Sequence, residues 1–171
     1  MKIYLACGLT HVPRTEFGRY VAFIHEVADG IQLLGAEVKY PLRHSDPQLA
    51  TKPIGERARL CYDWDRAMVE WADLIVAECS YPSIGVGIEL QVAEQCGVPI
   101  AIIFNSTSNS APEVEYSNPD GSRHWLQIGE GHITLMALGL PNLIAASSYR
   151  GATDALEQIS KVMTSVQEKG K

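Results

Sequence analysis

A chain of 171 residues with no basic excess, no paired cysteine motif, no metal-spaced histidines and no long apolar run is defined first by exclusions. Acidic residues outnumber basic ones by 20 to 14, giving a net charge of −6. That balance rules out the electrostatic footprint of a protein that grips nucleic-acid polymers. Small anions stay within reach, because backbone amides and a few local side chains can hold a phosphate inside an acidic protein. The four cysteines (Cys7, Cys61, Cys79 and Cys96) form neither a C-x-x-C pair nor a zinc spacing, and each stands in or beside an apolar run. A reducing, cytoplasmic setting is therefore expected. The five histidines are scattered without an H-E-x-x-H, so no metal centre is expected either. The opening MKIYLACGLTHVPR carries too short an apolar stretch for a secretory leader or a membrane span, and reads as a first strand.

What is present is an alternation of short apolar runs with helical periodicity, the pattern of a parallel sheet covered by helices. Ile3–Ala6 is the first strand. Phe17, Tyr20, Val21, Ile24, Val27, Ala28, Ile31 and Leu34 recur at three- and four-residue steps and predict a long helix stopped by Gly35. Ala36–Tyr40 is a second strand, and Leu42–Pro53, with two prolines, a polar loop. A second helix is predicted over Ile54–Trp71, a third strand over Leu74–Cys79, a third helix reaching Gly97 and a fourth strand over Pro99–Phe104. Asn105–Arg123, rich in Ser, Asn and Pro, is expected as a long surface loop with a hairpin around Asp120-Gly121. A short helix near His132–Leu138, a strand at Asn142–Ser147 and a helix from Thr153 to Val166 complete the chain. The expectation is one α/β domain over 1–171: a five-stranded parallel sheet in a three-layer, flavodoxin-like (Rossmann-like) sandwich, with a loop insertion at about 105–131.

In such sheets ligands bind beyond the carboxyl ends of the strands, near the point where strand order reverses. The loops Cys7–Pro13, Pro41–Pro53 and Ser80–Gly87 emerge there, which focuses attention on SYPSIGVGIEL. Gly85 and Gly87 would let backbone approach a ligand at a helix start, and Ser83 adds a hydroxyl. The competing reading is a tight turn that needs glycine for its dihedrals. Glu89 falls in the first turn of the third helix, where the helix dipole alone would favour it. Asp65 falls on the inward stripe Ile54, Ala58, Cys61, Met68, Ala72, where an aspartate is costly unless paired. It serves either a site or the anchoring of a neighbouring loop. Tyr4 shares a strand face with Ala6, opposite Ile3 and Leu5, and is either core filling or a hydroxyl seeking a partner such as a carboxylate.

These residues lie in motifs, KIYLA, Asp65 to Asp73 as D-x-x-x-x-x-x-A-D, and LIVAECSYPSIGVGIEL, that resemble the nucleoside 2-deoxyribosyltransferase superfamily. Within it the closer similarity is to the 2'-deoxynucleoside 5'-phosphate N-hydrolases, over roughly Met1–Phe104. The resemblance implies that Glu89 is the catalytic glutamate, Asp65 an active-site aspartate and Tyr4 the tyrosine that orients the glutamate. It implies 5'-phosphate contacts at Ser83 and Gly85, and Thr134, in ITLMALG, as a residue lent by a neighbouring subunit. A homodimer or higher homo-oligomer with shared sites follows, acting on a small nucleotide without a cofactor. Serine at position 83, where nucleoside transferases commonly carry aspartate, favours a phosphorylated substrate. In the loop after strand one the hydrolases have a serine and a basic residue, whereas this chain has Gly8 and Thr10; His11 or Arg14 are the alternatives. Hydrolysis of a (deoxy)nucleoside 5'-monophosphate is the expected activity, with base exchange between nucleosides and non-catalytic nucleotide sensing as the rivals.

Overall fold

Alternating side chains in the apolar runs have two buried faces to fill, and the fold fills both. The structure, a computed structural model, describes residues 1–107, 113–126 and 131–169. Its elements are β1 (Lys2–Cys7), α1 (Phe17–Leu33), β2 (Glu37–Lys39), α2 (Pro41–His44), α3 (Asp46–Leu49), α4 (Ile54–Trp71), β3 (Leu74–Glu78), α5 (Ile84–Gln95), β4 (Ile100–Asn105), β5 (Val114–Ser117), β6 (Arg123–Leu126), α6 (Leu135–Leu138), β7 (Leu143–Tyr149) and α7 (Ala152–Lys169). Five strands form one parallel sheet in the order β2-β1-β3-β4-β7. This is the doubly wound, flavodoxin-like arrangement that the sequence predicts.

On one face Ile3, Leu5, Leu74, Val76, Ala101 and Ile103 pack under α1 and α7. On the other Tyr4, Ala6, Ile75, Ala77, Ile100 and Ile102 pack under α4 and α5. Tyr4 thus sits opposite Ile3 and Leu5, as period-two alternation requires. Helices α1 and α7 come together where Gly30 has no side chain: a Cβ there would stand 2.4 Å from a Leu156 methyl. Gly35, with φ of 88°, ends the α1 turn in the left-handed region that favours glycine.

Three local expectations are corrected. In place of an open Leu42–Pro53 loop, two one-turn helices, α2 and α3, follow β2, each with proline (Pro41 and Pro47) in its first two positions. Proline's fixed φ suits a helix start as well as a turn, so it marks the beginning of these elements rather than their absence. The inward stripe of α4 is buried only toward its C-terminus, at Met68, Val69 and Ala72, while Ile54 and Ala58 are exposed. An 18-residue helix is about 27 Å long, against roughly 17 Å for a five-residue strand, so the N-terminal half of α4 overhangs the carboxyl edge of the sheet. Finally, α5 begins at Ile84, so Glu89 stands in its second turn, not its first, and Gly85 and Gly87 are helical rather than turn residues.

The predicted hairpin is present as β5 and β6, antiparallel from Val114–Leu126 to Ser117–Arg123, with Gly121 at φ 82° in its turn. The rest of the 105–131 insertion, at 108–112 and 127–130, lies outside the described residues. No described helix is long and apolar enough to cross a membrane.

Candidate active site

Strand order reverses at the β1–β3 pair, so the loops leaving these two carboxyl ends diverge and open a crevice. A cavity of about 760 Å³ fills it, walled by Leu9–Arg14, by α2 and α3, by the overhang of α4 and by the start of α5. Asp65 comes from α4 between its exposed Ile54 end and the buried Met68. Glu89 comes from α5, and Tyr4 rises from β1 beneath it.

Three polar atoms here are buried and unpartnered: the Tyr4 hydroxyl, Asp65 Oδ1 and Glu89 Oε2. Most buried polar groups find a partner, so three such atoms in one locality mark a place where stability has been set aside. Tyr4 is wholly buried and Glu89 is 9% exposed. The tyrosine hydroxyl lies against the Glu89 carboxyl without the geometry of a formed hydrogen bond. Burial, reinforced by the charge on Asp65, pushes the Glu89 carboxyl up to about 8; Tyr4 pulls it down and Asp46 adds to the rise. Burial also raises Asp65, against the neighbouring Ser45 and Cys61. The Cys61 thiol donates to Asp65 Oδ2 at 3.4 Å. Near neutrality the Asp65–Glu89 pair therefore keeps one proton that isolated carboxyls would release.

The other pole of the cavity suits an anion. Ser83 caps α5, its Oγ accepting from the Val86 N–H at 3.2 Å. Gly85 is the second helical residue, and the first amides of α5 have no intrahelical acceptor. Thr10, His11 and Arg14 line the same cavity. Gly8 is pressed against Ser83: a Cβ at position 8 would come within 2.7 Å of the Ser83 Cβ. Within one chain the fold thus gathers Tyr4, Asp65, Ser83, Gly85 and Glu89. Thr134 does not line that cavity. It caps α6, accepting from the Met136 N–H at 3.1 Å, and lines a second cavity of about 520 Å³ beside α5, which meets the first at Ser83 and Val86.

Two acidic residues join the picture without having been singled out by sequence. Asp46, at the start of α3, lines the cavity with Asp65 and Glu89; the S-D-P triplet, a helix-start signal, was its only trace. Glu78 ends β3 on the opposite face and is 1% exposed. It accepts from Tyr20 at 2.5 Å, from Tyr149 at 2.8 Å and from the Ser80 hydroxyl, while the Ser80 amide donates at 3.0 Å. Ser80 Oγ also accepts from the Asn105 amide at 2.8 Å. This cluster ties α1, β3, β4 and β7 together directly behind the 80–83 loop. An acidic residue closing the wholly apolar run LIVA was its sequence signal.

The 5-hydroxymethyl-dUMP N-hydrolase of Rattus norvegicus is 32% identical over 112 residues, 59% of this chain and 69% of that protein. The chain belongs to the 2'-deoxynucleoside 5'-phosphate N-hydrolase family. A second N-hydrolase, from Syntrophotalea carbinolica and carrying the name 2'-deoxynucleoside 5'-phosphate N-hydrolase 1, is 32% identical over 98 residues, 57% of this chain. The match spans 62% of that relative's length. Two solved structures share the fold of this N-hydrolase family member. They are the CMP N-glycosidase BcmB of Clostridium botulinum (TM-score 0.56, 16% identity, 95% and 99% coverage) and a conserved protein from Enterococcus faecalis (TM-score 0.59, 19% identity, 94% and 98% coverage). No protein-family model matches the chain.

Proposed function

We infer that this chain hydrolyses the N-glycosidic bond of a nucleoside 5'-monophosphate, giving free base and sugar 5-phosphate. The observation that carries this reading is the convergence of the unpartnered Tyr4, Asp65 and Glu89 atoms, at the strand-order reversal, opposite a helix start suited to a phosphate. The 5'-phosphate rests against Ser83, Gly85 and the first amides of α5, with Arg14 and His11 supplying donors or charge. Remote binding of the phosphate then orients the anomeric carbon over Glu89.

The proton shared by the Asp65–Glu89 pair passes to the departing base, leaving Glu89 as a carboxylate toward the oxocarbenium-like sugar. The C1'–N bond breaks as the Glu89 oxygen bonds to C1'. Water then attacks C1', the ester bond to Glu89 breaks, and the water's second proton returns to the pair. Tyr4 holds the Glu89 rotamer. No step calls for a metal or an organic cofactor.

A homodimer belongs to this reading. Thr134 is not among the residues lining the Asp65–Glu89 cavity of its own chain; α6 exposes Leu135 and Met136 next to it in sequence, and α5 exposes Ile84 and Ile88. A second copy covering these apolar side chains would add its own Thr134 to the phosphate pole.

The deciding experiment is product identification. Ribo- and deoxyribonucleoside monophosphates are incubated with wild type and with Glu89→Ala, and base and sugar phosphate are quantified. Free base with equimolar sugar 5-phosphate, lost in Glu89→Ala, is expected. Base exchange between unphosphorylated nucleosides would replace hydrolysis with transfer. Nucleotide binding without turnover, unchanged by Glu89→Ala, would make the protein a sensor.

A further inference from the structure

Asp46 is an acidic side chain that the mechanism does not use. It is half-buried, makes no hydrogen bond or ion pair among the described residues, and shares its cavity with Asp65 and Glu89. A third carboxyl near two others is unfavourable in the empty protein: burial raises Asp46, and the Asp65 charge raises it further. Its own helix cannot repay this, since α3 is a single turn. Among the described residues no three His, Cys, Asp or Glu side chains are grouped to hold a metal ion. What would repay it is a hydrogen-bond donor carried by the ligand.

The topology says which part of the ligand. In the order β2-β1-β3, the α2–α3 segment follows β2 and α5 follows β3, so the two walls stand on opposite sides of β1. The α5 wall holds Ser83, Gly85 and the free helix amides. The α2–α3 wall presents Pro41, Leu42 and Pro47, with Leu9 and Phe17 lining the same cavity. Flat apolar surface suits the face of a heteroaromatic ring, and one polar group set in it reads the ring's edge. A nucleotide laid across β1 with its phosphate on the α5 wall places its base on the α2–α3 wall.

We propose that Asp46 selects the base, accepting a hydrogen bond from an exocyclic amino group on its edge. Carboxylates read such groups: aspartate and glutamate accept from the cytosine amino group, whereas the uracil carbonyl in the same place sets oxygen against oxygen. A site built around such a bond discriminates steeply against the analogue that lacks it. The assignment rests on the N-glycosidase reading for the position of the base, and it names amino-bearing bases as the preferred substrates. The 2'-hydroxyl of ribose is the other donor of the same chemistry.

The test uses pairs that differ only in amino or oxo substitution, CMP with UMP, dCMP with dUMP and AMP with IMP, each with wild type and Asp46→Asn. Both kcat/KM for base release and Kd by calorimetry are measured. Wild type should favour the amino member at least tenfold, and Asp46→Asn, which offers its own amide donor, should narrow or reverse that ratio at least tenfold. An unchanged amino/oxo ratio in Asp46→Asn overturns the assignment. So does a variant that alters only the ribo/deoxyribo ratio, which would give Asp46 to the 2'-hydroxyl. If no nucleotide is cleaved, the hydrolase reading fails by itself, and the Kd ratios still decide the role of Asp46.

Discussion

A carboxyl that keeps its proton to about pH 8 is an expensive residue to fold around. In the unfolded chain Glu89 ionises near 4.5, so between that pH and 8 the native state binds the extra proton and is progressively penalised as pH rises. The penalty is complete above pH 8. Glu89→Gln should therefore lower base release by roughly a thousandfold or more, as loss of a nucleophile does. Its Tm should equal wild type near pH 4, exceed it by several degrees at pH 8, and diverge steadily between. Differential scanning calorimetry across that range checks both sign and window. The neighbours of Glu89 act in opposite directions. Removing the Asp65 charge should lower the Glu89 titration, and removing the Tyr4 hydroxyl should raise it. Carboxyl-carbon NMR of Asp65→Asn and Tyr4→Phe, read beside the alkaline limb of kcat/KM, distinguishes the two.

Among the elements, α4 was legible in full because eighteen residues of periodic sequence are bounded by Pro53 and by the strand that follows Ala72. Its surroundings were not. Periodicity marks one face of a helix, but only the lengths of the neighbouring strands decide how far that face stays covered, and the exposed Ile54 lies beyond the cover. The start of α5 left two readings open in the sequence, because glycine signals both a left-handed bend and a helix that backbone-binding ligands can approach. Ser83 decides between them: as the cap it sets the helix start one residue before the first glycine. Ser83→Ala should cost about 1 kcal/mol of stability for the lost cap. It should also raise KM for monophosphates severalfold with a smaller change in kcat, checked by thermal melts and steady-state kinetics. Asp46 lay hidden because two prolines made a pair of one-turn helices look like open loop.

At the scale of the whole molecule, the parallel sheet and its two helical layers follow from the apolar runs, whereas an assembly cannot be read from alternation. Exposed apolar side chains on α5 and on α6, Ile84 at 78% and Met136 at 84%, are the argument for a second copy. Sedimentation should give about twice the 18.7 kDa chain mass, and Met136→Lys should yield monomers with reduced base release; a wild-type monomer with full activity would remove the shared site. One contact has a wider reach than its size. Gly8 ends the path from β1, Ser83 opens α5, and the two meet with no room for a methyl group. These two loops are therefore mechanically one part: neither can drift without dragging the other. Gly8→Ala should disturb the α5 cap and the phosphate wall together, and Ser83→Gly should return much of what it loses. A double-mutant cycle on KM would then show strong non-additivity between two positions 75 residues apart in the chain. In that sense the cavity has a hinge pin, and natural or engineered change at one end is conditional on the identity of the other.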